Sequence, residues 1–377
     1  MRLLHTSDWH LGRSFHRADL LSAQAAFVDH LVETVRAERV DAVLVSGDVY
    51  DRALPPVDAV QLCDEALRRL AAVTRVVLIA GNHDSTQRLG FGSGLMDAAG
   101  VHVRTGPESV GEPIMLADDL AVYGIPYLEP ELVRPAWQLP ERGHAAVLAE
   151  AMHRVRTDAA RRPGGRTVVL AHAFVTGGEP SDSERDISVG GVSHVPVGVF
   201  SGVDYAALGH LHGRQRLTES VRYSGSPLAY SFSEEHQRKG SWLVDIGPDG
   251  LKQIDFVAAP VPRPVARLRG RLDHLLTAPA CEAHEGHWLQ VTLTDPERPP
   301  AAMERLRRRF PHTLMVAFEP EGATPARRTW ADRVKERSAL DIACDFVAEV
   351  SGDPAGPAER ALLHEAFAAC RVKESLT

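Results

Sequence analysis

Between Met1 and His212, a short β-rich apolar run ends abruptly in polar residues five times. Runs of four to six apolar residues bounded by glycine or polar residues are typical of buried strands. The polar residues that follow the five runs are Asp8 and His10, Gly47-Asp48, Gly81-Asn82-His83-Asp84, His172, and Gly209-His210-Leu211-His212. Open α/β sheets place their functional sites at the carboxyl ends of strands, so this repetition predicts a sheet with a site along one edge.

Helical periodicity separates the first three of these runs. One predicted helix begins behind a possible N-cap at Asp19 and buries a face formed by Leu20, Phe27, Leu31 and Val35. A second predicted helix follows Pro55-Pro56 and turns inward Val60, Cys63, Leu67 and Leu70. The alternation of strand and helix predicts a mixed α/β layered sheet.

The pattern changes after Gly209. Three further strands are expected to form an antiparallel second sheet that packs on the first, over Val221–Ser224, Ser241–Ile246 and Leu251–Val257. A linker is predicted at Pro260, Pro262 and Pro264. A small α+β domain should follow it, with strands and a helix at Trp288–Leu293, Leu314–Phe318 and Ala301–Phe310. The last forty residues predict two helices, over Trp330–Val350 and Pro357–Val372.

Length and composition set the context for this pattern. A chain of 377 residues has room for two or three domains at roughly 100–200 residues each. Its four cysteines are scattered without CxxC spacing, which indicates a reduced, cytoplasmic compartment and argues against a thiolate metal site. No apolar run approaches the ~18 residues of a membrane span and no signal peptide is recognised, so no membrane partner is expected. The net charge of −8 does not favour purely electrostatic DNA binding, although bound cations would invert it locally.

Seven side chains in the polar segments are nitrogen or oxygen donors of the kind that bind metals: Asp8, His10, Asp48, Asn82, His172, His210 and His212. Any one of them alone is weak evidence for a metal site, because a histidine at a strand end or a Gly-Asp turn usually has a structural role. Two divalent ions ~3.5–4 Å apart need about this set, including one carboxylate that can bridge them. Imidazole combined with carboxylate and amide suits Mn, Fe or Zn better than Mg alone.

The sequence motifs that contain these residues resemble the signature of the calcineurin-like metallophosphoesterase superfamily. The resemblance rests on Asp8-Trp9-His10, Gly47-Asp48-Val49-Tyr50-Asp51-Arg52, Gly81-Asn82-His83-Asp84, Ala171-His172 and Gly209-His210-Leu211-His212. Four segments are similar, more narrowly, to the SbcD family of bacterial nuclease subunits: 6–12, 182–185, 205–212 and 223–227. The match runs from Met1 to about Phe256, and beyond the linker only the architecture is similar.

The resemblance implies a four-layer α/β/β/α metallophosphoesterase sandwich with a small α+β capping domain and C-terminal helices that bind a partner. We therefore expect a nuclease domain over residues 1–258, a DNA-capping domain over 265–325 and a partner-binding helical segment over 330–377. The implied partners are DNA and an SbcC-type ATPase with a coiled coil, within a heterotetramer that contains a homodimer of this chain. The implied setting is the cytoplasm, on nucleoid-associated DNA.

The same resemblance assigns two ions, most often Mn²⁺, to the seven donors. The first ion would take Asp8, His10, Asp48 and His212, and the second would take Asp48, Asn82, His172 and His210. Water activated by the ions would attack the phosphodiester, giving double-strand exonuclease and single-strand or hairpin endonuclease activity in DNA end processing and repair. His83 is expected to be catalytic, as a general acid beside the phosphate, unless it merely packs its turn. Asp51 is a candidate to orient His83.

Other segments have a functional and a structural interpretation. Arg13, His16 and Arg17 could hold DNA phosphates or be solvated, and the long polar loop Gly177–Gly191 resembles a substrate-facing loop. A basic run is either a solvated helix face or a DNA contact: Arg305, Arg307, Arg308 and Arg309. The last helix has an apolar stripe that would dock on the ATPase or on its own domain: Leu362, Leu363, Ala366, Phe367 and Cys370.

Two other functions use the same sequence features. A small-molecule phosphodiesterase or protein phosphatase would need the same metal ligands, but the SbcD-like segments and the extra C-terminal modules argue against it. A DNA-binding scaffold without catalysis would have no need to retain all seven ligands and His83. No P-loop motif is found, so any ATP hydrolysis would belong to a partner.

Overall fold

The computed structural model describes residues 1–185, 187, 194–321 and 338–376. Its strands are β1 (Arg2–Thr6), β2 (Ser14–Phe15), β3 (Ala18–Asp19), β4 (Ala42–Ser46), β5 (Arg75–Ile79), β6 (Val101–Arg104), β7 (Ile114–Ala117), β8 (Leu120–Ile125), β9 (Arg166–His172), β10 (Tyr205–Gly209), β11 (Gln215–Arg216), β12 (Val221–Tyr223), β13 (Gly240–Gly247), β14 (Gly250–Ala258), β15 (Val265–Gly270), β16 (Trp288–Leu293) and β17 (Thr313–Phe318). Its α-helices are α1 (Leu21–Glu38), α2 (Val57–Ala71), α3 (Thr86–Leu89), α4 (Ser93–Asp97), α5 (Pro130–Trp137), α6 (His144–Ala159), α7 (Leu272–Thr277), α8 (Ala302–Arg309), α9 (Ala339–Ser351) and α10 (Pro357–Leu376).

Two large sheets form the body of the protein, with strand orders β14-β13-β1-β4-β5-β6 and β11-β12-β10-β9-β8-β7. Strand β4 shows how the layers arise, because it is apolar on both faces. Its Leu44 enters the core between the two sheets, whereas Val43 and Val45 belong to the core shared with helices α1 and α2. On the second sheet, Val169 packs in the same core as Met152 of α6. The layer order is therefore α/β/β/α, and the predicted four-layer sandwich is confirmed.

The expected antiparallel second sheet is wrong. Strands β13 and β14 form an antiparallel hairpin, but they extend the first sheet, because β13 pairs with β1 through the register Leu4↔Leu243. Strand β12 does join the second sheet, yet it runs parallel to β10. The reason is burial. Strand β13 is buried over most of its length, so it lies inside a sheet, with a paired strand at each edge and packed residues on both faces.

Two details of the early helices also differ from the sequence prediction. Helix α1 is capped at Leu20 rather than Asp19, although the Asp19 carboxylate accepts a hydrogen bond from Leu21 N at 2.8 Å. On α2, Val60 is 43% exposed, so it does not face the core. The buried stripe of α2 passes instead through Ala59, Leu62, Cys63, Ala66, Leu67 and Leu70.

Beyond residue 258 the chain forms a smaller unit and two helices. Strands β15, β16 and β17 pair in parallel, and their core includes Leu306 and Phe310 from the α8 region. Strand β15 was not predicted, because it begins directly after the proline linker. Helix α9 is capped by Gly352, and α10 approaches α3 and α5. The predicted helix over Trp330–Val350 begins outside the described residues. Within the described part of the chain, no helix has the length and hydropathy to cross a bilayer.

Candidate metal centre

The carboxyl ends of β1, β4, β5, β9 and β10 meet at one edge of the sandwich. All seven predicted ligands gather there, from both sheets. Six of the seven are almost fully buried: Asp8, His10, Asp48, His172, His210 and His212. The two sheets are tied together beside the site by the Ser46 hydroxyl, which donates to Ala207 O at 2.9 Å. The site therefore exists only because the two sheets pack face to face.

The first group of donors surrounds one point between the sheets. One ligand atom each from Asp8, His10 and His212 lie within 4.8 Å of one another. The Nε2 atoms of His10 and His212 are 3.0 Å apart. Asp48 Oδ2 lies 3.6 Å from His10 Nε2. This is the set that was predicted for the first ion.

The second group lies on the other side of Asp48. Asn82 Oδ1 is 2.9 Å from His172 Nε2 and 3.1 Å from His210 Nδ1. Asp48 Oδ2 is 3.6 Å from His172 Nε2, the same distance as from His10 Nε2. One oxygen of Asp48 thus faces both groups, as a bridging carboxylate must.

The backbone is strained at the residues that carry these donors. Asp8, His10, Asp48 and His210 all have positive φ angles, of 54°, 45°, 49° and 106°. Such conformations cost of order 1–3 kcal/mol each and persist only where the surroundings impose them. Main-chain hydrogen bonds between two strand ends hold three of them, because Asp8 N donates to Gly47 O and His10 N donates to Asp48 O, both at 3.0 Å. His210 N donates to the Asp8 carboxylate at 3.0 Å.

Two glycines allow the strand ends to approach so closely. Gly47 has φ +90°, and a Cβ at this position would lie 2.4 Å from His172 Nδ1. A Cβ on Gly209 would lie 1.9 Å from Ser46 O. Any larger residue at either position would push the two sheets apart at the site.

Burial sets the charge state of the site. It lowers the pKa of His10, His172 and His210, so these imidazoles are neutral near pH 7 and keep lone pairs for a metal. Burial also raises the pKa of Asp8, with the charge of Asp48 as the second cause. For Asp48, burial raises the pKa, but the attraction of the neighbouring histidines in their protonated forms and the hydrogen bond from His83 N outweigh burial, so the pKa of Asp48 is lowered. A divalent cation bound here would neutralise the negative charge of a carboxylate that is enclosed by neutral imidazoles.

Hydrogen bonds outside the ring of donors support a metal role. His172 Nδ1 lies 2.9 Å from the carbonyl oxygen of Ser46, so this nitrogen carries the proton. The lone pair is then on Nε2, which faces Asn82 and Asp48. Fixing the outer nitrogen of a ligand histidine in this way is typical of metal sites. The donor set, its protonation and its orientation therefore fit two divalent ions.

His83 and Asp51 are brought together through the main chain of Asp51. His83 Nδ1 lies 2.7 Å from the main-chain oxygen of Asp51, so the carbonyl and not the carboxylate orients the ring. The Asp51 carboxylate faces Arg13 and His10 instead, at 3.6 Å and 3.7 Å. His83 Nε2 is 4.0 Å from Asp48 Oδ2 and is partly exposed. Ligand atoms of His10, Asp48 and His83 also lie within 4.8 Å of one another, so the geometry alone permits His83 to bind a metal.

Sequence reasoning missed the role of Asp84. Its buried carboxylate accepts N–H bonds from Val49 at 3.1 Å, Tyr50 at 2.9 Å and Gly81 at 2.9 Å. It thereby joins the loops after β4 and β5. Burial and the charge of Asp48 raise the pKa of Asp84 to about 7. The signal was present in the Gly81-Asn82-His83-Asp84 motif, of which only the middle residues were assigned roles.

The loop that resembles a substrate-facing loop contacts His212, one of the predicted metal ligands. Of the predicted loop Gly177–Gly191, the structure describes residues 177–185 and 187. Ser183 Oγ lies 2.5 Å from His212 Nδ1, and Glu184 Oε1 accepts from His212 N at 2.7 Å. Arg13 donates to the main-chain oxygen of Ser183 at 3.1 Å and is only 17% exposed, so it is not a freely solvated side chain.

The other predicted basic surface has intramolecular partners. On α8, Arg305 pairs with Asp273, Arg308 with Glu304 and Arg309 with Glu285. Arg307 donates to Thr313 O. By contrast, His16 and Arg17 are exposed in the turn between β2 and β3.

A cleft of about 550 Å³ opens beside the second group of donors. Gly81, Asn82 and Asp84 form one end of it, and Tyr127 and Glu129 lie farther along. This volume is in the range of ligand-binding sites, at roughly 300–1,000 Å³. Of the seven donors, Asn82 lines this cleft.

Two family models match this chain, and solved structures of two other proteins are similar to it. A family model described as calcineurin-like phosphoesterase matches residues 1–214. A second model, with the short name SbcD_C and the description type 5 capsule protein repressor C-terminal domain, matches residues 261–351. The solved structure of TT1561 of Thermus thermophilus is 11% identical with a TM-score of 0.41, covering 68% of this chain and 98% of that chain. A dimetal phosphatase from Danio rerio is 13% identical with a TM-score of 0.38, covering 69% and 99%.

Proposed function

The chain belongs to the calcineurin-like phosphoesterase family and is a metal-dependent phosphoester hydrolase, and from this premise we propose that it is a manganese-dependent DNA nuclease subunit. The observation that carries the proposal is the second family match, because a module named for SbcD follows the hydrolase module over residues 261–351. It adds to the SbcD-like segments at 182–185 and 223–227. Both features favour the phosphodiesters of DNA over a phosphoprotein.

In this proposal Asp8, His10, Asp48 and His212 hold one ion, and Asp48, Asn82, His172 and His210 hold the other. When bound, the pair supplies Lewis acidity and an activated water nucleophile. The chain supplies the placement: four of these residues have positive φ angles at the strand ends, and burial keeps the imidazoles of His10 and His210 neutral. Carboxylate, imidazole and amide donors together suit manganese.

His83 is the proposed general acid. The Asp51 carbonyl holds its Nδ1, which leaves Nε2 as the ring atom directed toward the site. Because Nδ1 donates to a carbonyl, the acid form is the imidazolium, in which both ring nitrogens carry protons; its Nε2 proton can pass to the 3′ oxygen as that oxygen leaves the phosphorus, and the ring becomes neutral. Asp51 supports this step through its main chain, and its carboxylate holds Arg13 beside His10.

The proposal extends to substrates and partners. We infer double-strand exonuclease and single-strand or hairpin endonuclease activity in DNA end processing and repair, together with an SbcC-type ATPase whose coiled coil binds residues 330–377. We also infer a homodimer of this chain within the heterotetramer, located on nucleoid-associated DNA in the cytoplasm. Residues 265–325 would cap the DNA.

The test is a comparison of substrates for the purified chain with Mn²⁺. Hairpin DNA, linear duplex DNA with free or blocked ends, and a phosphoserine peptide are each incubated with the chain alone and with its ATPase. We expect cleavage of hairpin DNA and of free ends, with ATP required only when the ATPase is present. Hydrolysis of the peptide without any DNA cleavage would replace the nuclease proposal with a phosphatase.

A further inference from the structure

A buried chain of hydrogen bonds runs from His212 away from the metal donors and into the protein. Ser183 Oγ lies 2.5 Å from His212 Nδ1 and 2.6 Å from Glu234 Oε1. Glu234 Oε2 accepts from Lys239 Nζ at 2.5 Å, and the side chains of this ion pair are 0% and 3% exposed. None of Ser183, Glu234 and Lys239 belongs to the predicted ligand set.

Counting the protons along this series of hydrogen bonds assigns the tautomer of His212. Glu234 is paired with an ammonium group, so it is an ionised carboxylate that can only accept hydrogen bonds. The single hydroxyl proton of Ser183 is therefore donated to Glu234. Ser183 Oγ must then accept from His212, so Nδ1 of His212 carries the proton. In the neutral ring, the form that binds a metal, the lone pair is then on Nε2, the atom that faces His10 Nε2 at 3.0 Å.

We propose that Ser183 and Glu234 are positioning residues that fix the tautomer and the ring orientation of His212 for the first metal ion. Lys239 holds Glu234 in place and also donates to the main-chain oxygen of His212 at 2.9 Å. Glu184 fixes the other side of the same residue by accepting from His212 N at 2.7 Å. In many metal sites a carboxylate accepts a hydrogen bond directly from the ligand histidine. Here Glu234 has that role, but the hydroxyl of Ser183 lies between the carboxylate and the His212 ring. This inference rests on the proposed metal assignment.

The first experiment measures metal affinity rather than activity. Metal-free protein is titrated with Mn²⁺ by calorimetry, and we expect Ser183→Ala to weaken one of two binding events about 10- to 100-fold. Ser183→Thr keeps the hydroxyl and should restore binding close to that of the wild type. The matched control is Ser233→Ala, because Ser233 lies next to Glu234 and its Oγ accepts from Asp182 N at 2.9 Å, while its hydrogen bonds are to Asp182 and Ser231 and not to His212.

The second experiment reads the tautomer directly. Ring ¹⁵N spectra of the metal-free protein are recorded, and the His212 signal among the 18 histidines is assigned by comparison with His212→Gln. We expect the Nδ1–H tautomer in the wild type and in Ser183→Thr, and a shift toward Nε2–H in Ser183→Ala.

The two experiments separate the inference from the function on which it rests. If the wild type fails to bind two ions, the metal proposal is wrong, whatever the spectra report. If the wild type binds two ions and Ser183→Ala shows either unchanged affinity or an unchanged tautomer, only the positioning role is overturned.

Discussion

Asp48 is the residue on which both groups of donors depend. Its Oδ1 accepts from His83 N at 2.9 Å, which leaves Oδ2 to face His10 and His172 at equal distances. A single side chain therefore fixes the loop after β5 and stands between the two proposed ions. Asp8 also lies near both groups, since its carboxylate atoms are within 4.8 Å of ligand atoms of His212 and of His172, but only for Asp48 does one oxygen lie at the same distance from His10 and His172.

We expect Asp48→Asn to abolish DNA cleavage while the fold survives. Asparagine has nearly the same volume, but it removes the charge that both ions would share. Metal analysis and hairpin cleavage measure the loss, and circular dichroism checks the fold. Asp64→Asn is the control, because Asp64 is exposed on α2 and pairs only with Arg68. Two retained ions with full activity would contradict the bridging assignment.

A substitution at His83 distinguishes a role in catalysis from a role in metal binding. We expect His83→Ala to keep near-normal metal content and to lower cleavage by ~10²–10⁴-fold, the range for a lost general acid. Metal analysis and single-turnover cleavage are measured on the same preparation. His102→Ala is a control at another half-buried histidine, which pairs with Asp97. Loss of ions from His83→Ala would make His83 a ligand and would contradict its assignment as the acid.

At the scale of elements, local patterns were predictable and long-range pairing was not. The five strands that end in donors follow from short apolar runs, since burial on both faces is visible in sequence. The attachment of β13 to β1 is not visible, because it joins residues about 240 positions apart. The contact of Ser183 with His212 depends likewise on how a loop folds back across the sheet. The use of the Asp51 carbonyl in place of its carboxylate depends on main-chain direction, which a motif does not encode.

The apolar stripe of helix α10 was expected either to pack on its own chain or to dock on a partner, and parts of the stripe are available for each. It approaches α3 and α5, and Leu363 and Phe367 are partly buried, as packing on its own chain requires. Leu362, however, is 65% exposed. Burying such a side chain contributes about 1.5–3 kcal/mol. The exposed part of the stripe is therefore the part we propose for a partner.

We expect removal of residues 351–377 to leave metal binding and weak DNA cleavage intact, since every proposed ligand precedes Gly213. Association with the coiled-coil ATPase should weaken, as measured by co-purification. Leu362→Glu is the sharper variant, because it changes an exposed residue and should spare the melting temperature of the monomer. Undiminished co-purification of the truncated chain, together with a lower melting temperature, would mean that α10 serves only its own fold.

At the scale of the whole molecule, the site and the stability of the sandwich depend on the same contact between sheets. His5 on β1 shows this away from the donors. Its Nε2 lies 3.1 Å from Leu208 O on β10, so it donates there, and its Nδ1 accepts from the Tyr205 hydroxyl at 2.9 Å. Both bonds use the neutral ring, and both cross from one sheet to the other.

Neutral His5 should make the folded protein sensitive to acid. Burial lowers the pKa of His5 to about 3, whereas the unfolded chain has the ordinary value of 6.5. Between these two values the unfolded state binds a proton that the folded state does not. The contribution of His5 is therefore complete above pH 6.5 and is lost as the pH falls, by about 1.4 kcal/mol per pH unit.

We expect His5→Gln to flatten the pH dependence of stability, because a neutral amide does not titrate. Urea unfolding of metal-free protein at pH 7, 6 and 5 gives the free energy of unfolding for each variant. Below pH 6.5 the slope for the wild type should exceed that for His5→Gln by about 1.4 kcal/mol per pH unit. Buried histidines of the metal site contribute equally to both proteins and cancel in the difference. His236→Gln is the control, since that side chain is 93% exposed. Equal slopes for wild type and His5→Gln would mean that His5 is charged, or solvated, in the folded protein.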